Sequence, residues 1–371
     1  MRKKIDMDFY EKELLALKRS GRYRERRLFD ENLLDLASND YLGLAEKKEL
    51  IDEAYKRVSS YSFHASKASM LVNGYHPIHK AFEGALCEAN GFEEGIVLGS
   101  GFNANIALIE TLIRKGDELF MDEKYHASGV MATKLNDGKT FYFSHNDADE
   151  LEEMLKNSMA KRKIIAVEGI YSMDADLLNE KIIHLADKYG ALLILDEAHS
   201  SGVIGKKLMG ILDYYNLPVK ENYIKMGTLG KAYGSFGAYI LASAHIIDFL
   251  INRAKPIIYA TAPSLFDTAL GHVSLEYILK NSEVLSQKIK SHQKLIFDTL
   301  EIKVEGLIVP IKIGNNKKVM EIQALILKEN YLVGAIRQPT VESAIVRLIA
   351  RLSVSKNELL TVCKLIKSEI R

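Results

Sequence analysis

Ala191-Leu192-Leu193-Ile194-Leu195-Asp196-Glu197-Ala198-His199 begins as an unbroken apolar run and ends in acids and a histidine. A run without polar alternation predicts a strand covered on both faces, the habit of a parallel sheet. Lys163 to Glu168 repeats the pattern, and Ile182 to Tyr189 between the two reads as a helix. Strands and helices keep alternating outward from this unit. Gly95 to Leu98 and Glu118 to Met121 read as strands. Asn103 to Arg114, with apolar residues at Ile106, Ile109, Leu112 and Ile113, reads as a helix that ends before Gly116. Asp147 to Glu150 looks like a capping box that opens a helix from Leu151 to Asn157. The alternation predicts a doubly wound α/β domain with a mostly parallel sheet.

The flanks read differently. Residues 6–20 form an amphipathic helical pattern stopped by Gly21, followed by four arginines between Arg22 and Arg27. Ala37 to Gly43 is a turn-rich connector, residues 46–58 are helical, and Ile78 to Asn90 is a helix capped by Gly91. After about residue 245 come Pro256, Pro263 and a long helical stretch from Leu265 to Leu300. The remainder alternates as Leu307–Ile313, Val319–Asn330, Leu332–Arg337, Ile345–Ser353 and a last helix over 356–370, a βαβ-like, smaller α+β domain. The expected division is 1–45 for the N-terminal helix and connector, 46–250 for the large domain and 251–371 for the small one.

Composition narrows the class. The 371 residues are 47% hydrophobic with a net charge of +1, which suits a globular chain and gives no global field for nucleic acid or membrane. Met1 to Asp6 is basic, but no apolar signal core follows, and no stretch approaches a membrane span. Two cysteines, Cys87 and Cys363, make neither a disulfide framework nor a zinc motif. A reducing cytoplasm is the simplest expectation, and no metal site is expected.

Gly227-Thr228-Leu229-Gly230-Lys231-Ala232-Tyr233-Gly234 sets a lysine in a glycine-rich turn. A Walker loop is excluded, because Lys225 and Ala232 occupy positions that need Gly and Ser or Thr. Alone, Lys231 reads equally as a surface-loop lysine. With Asp196 and His199 at a strand end, where open α/β sheets bind ligands, it becomes a set suited to pyridoxal phosphate (PLP). The lysine supplies the Schiff-base amine and the aspartate keeps the pyridinium nitrogen protonated. Gly99-Ser100-Gly101-Phe102-Asn103 lies between a strand and a helix N-terminus, a phosphate-binding arrangement. With Ala104 it also fits the dinucleotide fingerprint G-x-G-x-x-A, for which Asp117 or Asp122 would hold the ribose. His126, Glu168 and Ser172 each follow a strand end, and each has a plain structural reading as well.

In order along the chain these segments resemble the α-oxoamine synthases, PLP enzymes of the aspartate-aminotransferase fold type (fold type I). The resemblance runs from Ser38-Asn39-Asp40-Tyr41-Leu42-Gly43-Leu44 to the final helix. It implies that Lys231 carries the cofactor and moves protons at Cα, that Asp196 pairs with the pyridinium, that His126 stacks on the ring and that His199 bonds the ring oxygen. It further implies that Ser100, Gly101, Phe102, Glu168, Ser172 and Thr228 help hold the cofactor. Arg24, Asn39, Thr340 and Arg347 match substrate contacts, with Arg351 the alternative to Arg347 if a small gap falls between them.

Within the family, Pro256 to Ala262 and Ala335 to Val341 resemble the members of biotin biosynthesis, which implies L-alanine condensing with a pimeloyl thioester carried by CoA or a carrier protein. Glycine with acetyl-CoA is the alternative, suggested by Gly227 to Ala232. An NAD-linked oxidoreductase and a non-catalytic PLP-fold binding protein stay open. A homodimer is implied. One segment departs from the family: its G-x-G-G-S-R run is here Ala65-Ser66-Lys67-Ala68-Ser69-Met70, which leaves the local backbone shape and that arginine's contact open.

Overall fold

Strand runs that lack polar residues need cover on both faces, and a seven-stranded sheet provides it. The computed structural model describes residues 7–370. In chain order the strands are β1 (Leu34–Leu36), β2 (Glu94–Leu98), β3 (Glu118–Asp122), β4 (Lys139–Phe143), β5 (Lys163–Glu168), β6 (Leu192–Asp196), β7 (Tyr223–Thr228), β8 (Ala238–Ala242), β9 (Ile308–Gly314), β10 (Tyr331–Ile336) and β11 (Ala344–Ile349). The large sheet has the order β2-β8-β7-β6-β5-β3-β4 and is parallel except for β8, which runs against both β2 and β7. Side chains alternate between two cores. Ile165, Val167, Leu193 and Leu195 enter one core, while Ile164, Ala166 and Ile194 enter the other. Each fully buried Ile or Leu there contributes about 1.5–3 kcal/mol.

The small sheet has the order β1-β10-β11-β9. β9 and β10 both pair antiparallel with β11, which lies between them, so the βαβ-like tail is split by an inserted strand. β1, from the N-terminal connector, pairs parallel with β10, Leu34 opposite Tyr331. The connector therefore belongs structurally with the C-terminal sheet. The helix Leu265–Leu300 spans 36 residues, about 54 Å at 1.5 Å per residue. It packs on the helices Lys48–Ser59 and Pro77–Asn90 and also on Lys356–Ile370, so it ties the two sheets' surroundings together.

Two local expectations need correction. The helix after β4 starts at Ala148, not Leu151. Asp147 caps it by accepting from the N–H groups of Asp149 and Glu150, but the Glu150 carboxylate accepts from the Ser144 N–H at 2.6 Å and does not return to Asp147. The capping is one-sided. The sequence reading also passed over β4, β7 and β8. By contrast, Gly91 closes the helix Pro77–Asn90 with φ +77°, as glycine allows.

At the departure from the family pattern, Lys67 holds φ +67°, a left-handed conformation that glycine adopts freely. Its Nζ lies 3.7 Å from the centre of the Phe63 ring. Ser66 Oγ donates to Pro263 O at 2.5 Å and Ser69 Oγ to Ile258 O at 2.9 Å. The loop keeps a glycine-like turn without glycine because its serines dock it on residues 258–263.

Arg351, just past β11, fastens the connector. Its Nη2 donates to Asp40 Oδ2 at 2.8 Å and also to Glu46, its Nη1 donates to Asp35 Oδ2 at 3.1 Å, and its Nε donates to Asp40 O at 3.1 Å. The side chain is only 5% exposed. Removing one member of such a buried charged set strands its partners. Arg351→Ala should lose about 3 kcal/mol of stability, read as a lower urea midpoint. A loss under about 1 kcal/mol would show that the carboxylates hold the connector without it.

Candidate active site

Parallel strands end with their carbonyl edges on one side of the sheet, and the sequence places polar residues there. Glu168 ends β5 and lies directly opposite Asp196, which ends β6. Thr228 ends β7, and Lys231 follows in the turn that leads to β8. Gly234, with φ +57°, lets this turn pass so close to the connector that a Cβ there would stand 2.5 Å from Ala45 N.

Lys231 Nζ lies 2.8 Å from His199 Nε2. On its other side His199 Nδ1 is 2.5 Å from Tyr41 Oη. Burial brings the Lys231 amine down to about 8, with Arg347 adding to the effect and Asp196 and Glu168 opposing it. Burial also holds the His199 imidazole well below its ordinary value, helped by Lys231, Arg347 and His126, so the ring stays neutral.

Asp196 is 4% exposed. Its Oδ2 accepts from Asn105 Nδ2 at 2.9 Å and its Oδ1 from the Ala198 N–H at 3.0 Å. Asn105 also donates to Ser128 Oγ at 3.0 Å and accepts from Tyr125 Oη at 2.8 Å. Ser128 Oγ lies 2.7 Å from His126 Nδ1, and its N–H donates to the same nitrogen at 3.2 Å. Nδ1 of His126 is thus an acceptor, and the ring's hydrogen sits on Nε2. His126 and Asp196 are linked through two side chains that the sequence reading did not single out.

Ser100 caps the helix Gly101–Leu112 by accepting from the Asn103 N–H at 3.2 Å. The first N–H groups of a helix have no partner within it, and those of Gly101 and Phe102 point out of this one. A Cβ at Gly101 would lie 3.8 Å from Thr228 Cβ, so the helix start and the end of β7 face each other across a gap that glycine keeps open. Thr228 Oγ1 donates to Gly237 O at 3.1 Å. Phe102 is 44% exposed. Glu168, by contrast, is buried with its Oε1 unpartnered, and burial beside Asp196 pushes its pKa well up.

Arg347, on β11, donates from Nη1 to Asn39 Oδ1 at 2.9 Å and from Nε to the Ser172 carbonyl at 3.0 Å. It has no carboxylate partner among the described residues, whereas Arg351 is spent on three. Of the two arginines, Arg347 is the one left for an anion beside Lys231. Arg24 is exposed, without a polar partner among the described residues. Thr340 is exposed in a turn, its N–H on Arg337 O at 3.0 Å. Neither joins the hydrogen-bonded cluster around Lys231, although Arg337 Nη1 donates to Gly21 O at 2.7 Å and so ties their two segments together.

The dinucleotide reading fails on both acids and on topology. Asp117 is bonded to Arg162 and to the Arg114 N–H. Asp122 is fully buried and accepts from Tyr171 and Asn146, with His145 Nδ1 3.0 Å away. The strand that follows the Gly101–Leu112 helix, β3, is not β2's neighbour in the sheet, as a dinucleotide βαβ unit requires. His145 has a structural task instead. Held between Asp122 and Asp176 and pushed up to about 9, it clamps the loop that carries Ser172.

Asn105 had a readable signal, being a polar residue one helical turn after Gly101 on the same face of the helix. Tyr41 had none, because its partner lies 158 residues away.

Residues 31–366 match the family described as aminotransferase class I and II. The chain is 44% identical over 341 residues to an 8-amino-7-oxononanoate synthase of Helicobacter pylori (strain J99), covering 91% of each chain. It is 34% identical over 372 residues to an 8-amino-7-oxononanoate synthase of Citrifermentans bemidjiense, covering 92% of each. Among solved structures, a PLP-bound serine palmitoyltransferase from S. paucimobilis superposes with a TM-score of 0.88 at 20% identity, over 98% of this chain and 96% of that one. An 8-amino-7-oxononanoate synthase from Francisella tularensis gives 0.77 at 24% identity, over 92% and 98%. The order of the sheet, the buried lysine and these similarities converge: the chain belongs to the class I and II aminotransferase family and, within it, to the α-oxoamine synthases, PLP-dependent C-acyltransferases that condense an amino acid with an acyl thioester and release CO2.

Proposed function

We propose that the chain joins L-alanine to a pimeloyl thioester, releasing CO2 and the free thiol, and that it does so with PLP held at the Lys231 cluster. The observation that carries the substrate reading is the 44% identity to the Helicobacter relative across 91% of both chains. The residues fit the cofactor. The N–H groups of Gly101 and Phe102, at a helix N-terminus with Ser100 and Thr228 beside them, suit a phosphate. Asp196, its oxygens oriented by Asn105 and the Ala198 N–H, suits a pyridinium partner. The unpartnered Oε1 of Glu168 is a buried polar atom that a bound group would satisfy. When bound, PLP supplies an aldehyde for the lysine amine and a protonated ring that draws electrons from the amino acid's α-carbon.

The chain's own residues do the rest. Lys231 Nζ is the base that moves the Cα proton, and its lowered pKa keeps it near working pH for that task. Arg347, steadied by Asn39 and by the Ser172 carbonyl, binds the amino acid's carboxylate. His126 and His199 would hold the cofactor ring, as the family resemblance implies, with His199 Nε2 standing 2.8 Å from Lys231 Nζ. Arg24 and Thr340, in segments tied by Arg337, are proposed to meet the acyl substrate. A homodimer would account for exposed apolar side chains such as Val72 at 77%, Tyr259 at 80% and Phe236 at 62%. Light scattering of the purified protein should give twice the mass of one chain, and a single-chain mass would remove that part of the proposal.

The deciding experiment measures kcat/KM with PLP and either L-alanine plus pimeloyl-CoA or glycine plus acetyl-CoA, reading CO2 and free CoA. A clear preference for the first pair is expected. A preference for the second would replace the substrate reading, and Lys231→Ala turning over at the wild-type rate would sink the site. PLP capture itself should depend on pH. Below about 8 the Lys231 amine is an ammonium and cannot attack, and above it the amine is neutral. The uptake rate, followed by visible absorbance, should rise through that pH and then level off. A flat profile from pH 6.5 to 9.5 would contradict the buried-amine geometry.

A further inference from the structure

Three hydrogen-bonding groups stand in line behind the lysine, and the outermost has no assigned task. Tyr41 is 1% exposed and His199 7%. Tyr41 Oη lies 2.5 Å from His199 Nδ1, and His199 Nε2 lies 2.8 Å from Lys231 Nζ. Tyr41 Oη also lies 3.3 Å from Asn39 Oδ1, an atom already accepting from Arg347 at 2.9 Å. The connector holds the tyrosine on both sides. Arg351 takes the Asp40 carbonyl and carboxylate, and the Leu352 N–H donates to Tyr41 O at 2.9 Å. A Cβ at Gly43 would stand 2.6 Å from Ser353 Cβ, so this segment sits tightly against the end of the small sheet.

We propose that Tyr41 is a positioning residue for His199: it anchors the ring through Nδ1, and because a phenol both donates and accepts, it lets the ring change tautomer with the charge of Lys231.

The donor and acceptor inventory leaves few arrangements. A lysine ammonium has only donors, so Nε2 must accept from it. A neutral ring then carries its hydrogen on Nδ1, which donates to Tyr41 Oη, and the tyrosine's own hydrogen is left with the longer contact to Asn39. Once Lys231 has given one proton to solvent, its nitrogen has a lone pair. The ring can then carry its hydrogen on Nε2 and donate toward Nζ, while Tyr41 donates to Nδ1 over the short 2.5 Å contact. The ring bears one hydrogen throughout, and every polar atom in the line keeps a partner in both arrangements. A phenylalanine could support neither.

Neutrality of the ring is what makes the tautomer the only variable. Burial holds His199 well below its ordinary value and pushes the Tyr41 phenol up to about 12, so neither ionises where Lys231 does. The charged and titratable groups that face the line are Asp196, Glu168 and Arg347 around Lys231, Arg347 and His126 around His199, and Arg347 and Glu168 around Tyr41. Arg347 faces all three, so substrate carboxylate binding there changes the field on the whole line. The consequence for the reaction rests on Lys231 being the reacting amine: with the amine neutral, Nε2 presents a hydrogen, the state able to steady a negative oxygen beside it.

The test uses the 371-residue chain freed of PLP and labelled with 15N-histidine. The His199 signals are identified by their loss in His199→Asn. As pH rises through about 8, the wild-type ring should change from hydrogen on Nδ1 to hydrogen on Nε2. One fixed tautomer from pH 6.5 to 9.5 would overturn the proposal without any variant. In Tyr41→Phe the unanchored ring should give averaged shifts on both nitrogens with no switch. In the PLP-loaded enzyme kcat should fall about tenfold, the equivalent of one lost hydrogen bond. KM for the amino acid should change less than kcat, since Arg347 keeps its bonds to Asn39 Oδ1 and the Ser172 carbonyl. An unchanged switch in Tyr41→Phe, or wild-type kcat, would equally overturn it. The tautomer readout involves no substrate, so a different acyl donor would leave it standing.

Discussion

A lysine amine removed from water keeps its proton only as far as neighbouring carboxylates compensate the lost hydration. At Lys231 the balance is set by burial and Arg347 on one side and by Asp196 and Glu168 on the other, and it comes to rest at about 8. Most of the site follows from holding these charges at fixed distances. Asp196 must be oriented, so Asn105 and the Ala198 N–H take its two oxygens. Arg347 must stay near without a carboxylate of its own, so it is held by neutral oxygens, Asn39 Oδ1 and Ser172 O. At Glu168, burial and the neighbouring Asp196 push the carboxyl pKa well up, while Lys231 pulls against them.

The fold supplies these distances from far apart in sequence. β5, β6 and β7 lie side by side, so Glu168, Asp196 and Thr228 end at one edge. Reversal of β8 turns the chain back directly after β7, and Lys231 is carried in that reversal. The small sheet brings Arg347, and the connector fastened by Arg351 brings Asn39 and Tyr41. A second buried lysine shows the contrast. Lys225, on β7, is also depressed by burial, but it donates to Asn90 Oδ1 and Met209 O and stands near Glu197, so it is spent on structure.

Elements whose periodicity is set by their own cover were readable from sequence. β5 and β6 are apolar because both faces are buried, and the helix Leu265–Leu300 has the bounds read from its pattern. Lys231, Asp196 and His199 were readable as a set because each sits at a strand end or in a glycine turn. What escaped depends on partners distant in the chain. β7 contains Lys225, a residue that argues against a buried strand until Asn90 and Met209 are seen to satisfy it. β4 is a largely exposed edge strand in which only Phe143 is buried. β1 is only three residues long and exists because β10 lies beside it. Lys67 occupies a glycine conformation through docking of its neighbours, which no local propensity encodes.

The pairing of β1 with β10 also has a timing consequence. A ribosome adding about 5–20 residues per second finishes the large sheet well before Tyr331 exists. The segment Leu34–Leu36 emerges well before Tyr331 and then waits on the order of 15–60 seconds for its partner strand. Asp35 and Asp40 wait equally long for Arg351. Until then the nascent large domain carries an unpaired tether, and the connector that brings Asn39 and Tyr41 to the site locks only once Arg351 is made. Catalytic competence in this sense waits for the small sheet, and a stop before β11 leaves the large sheet without Arg347 and Arg351.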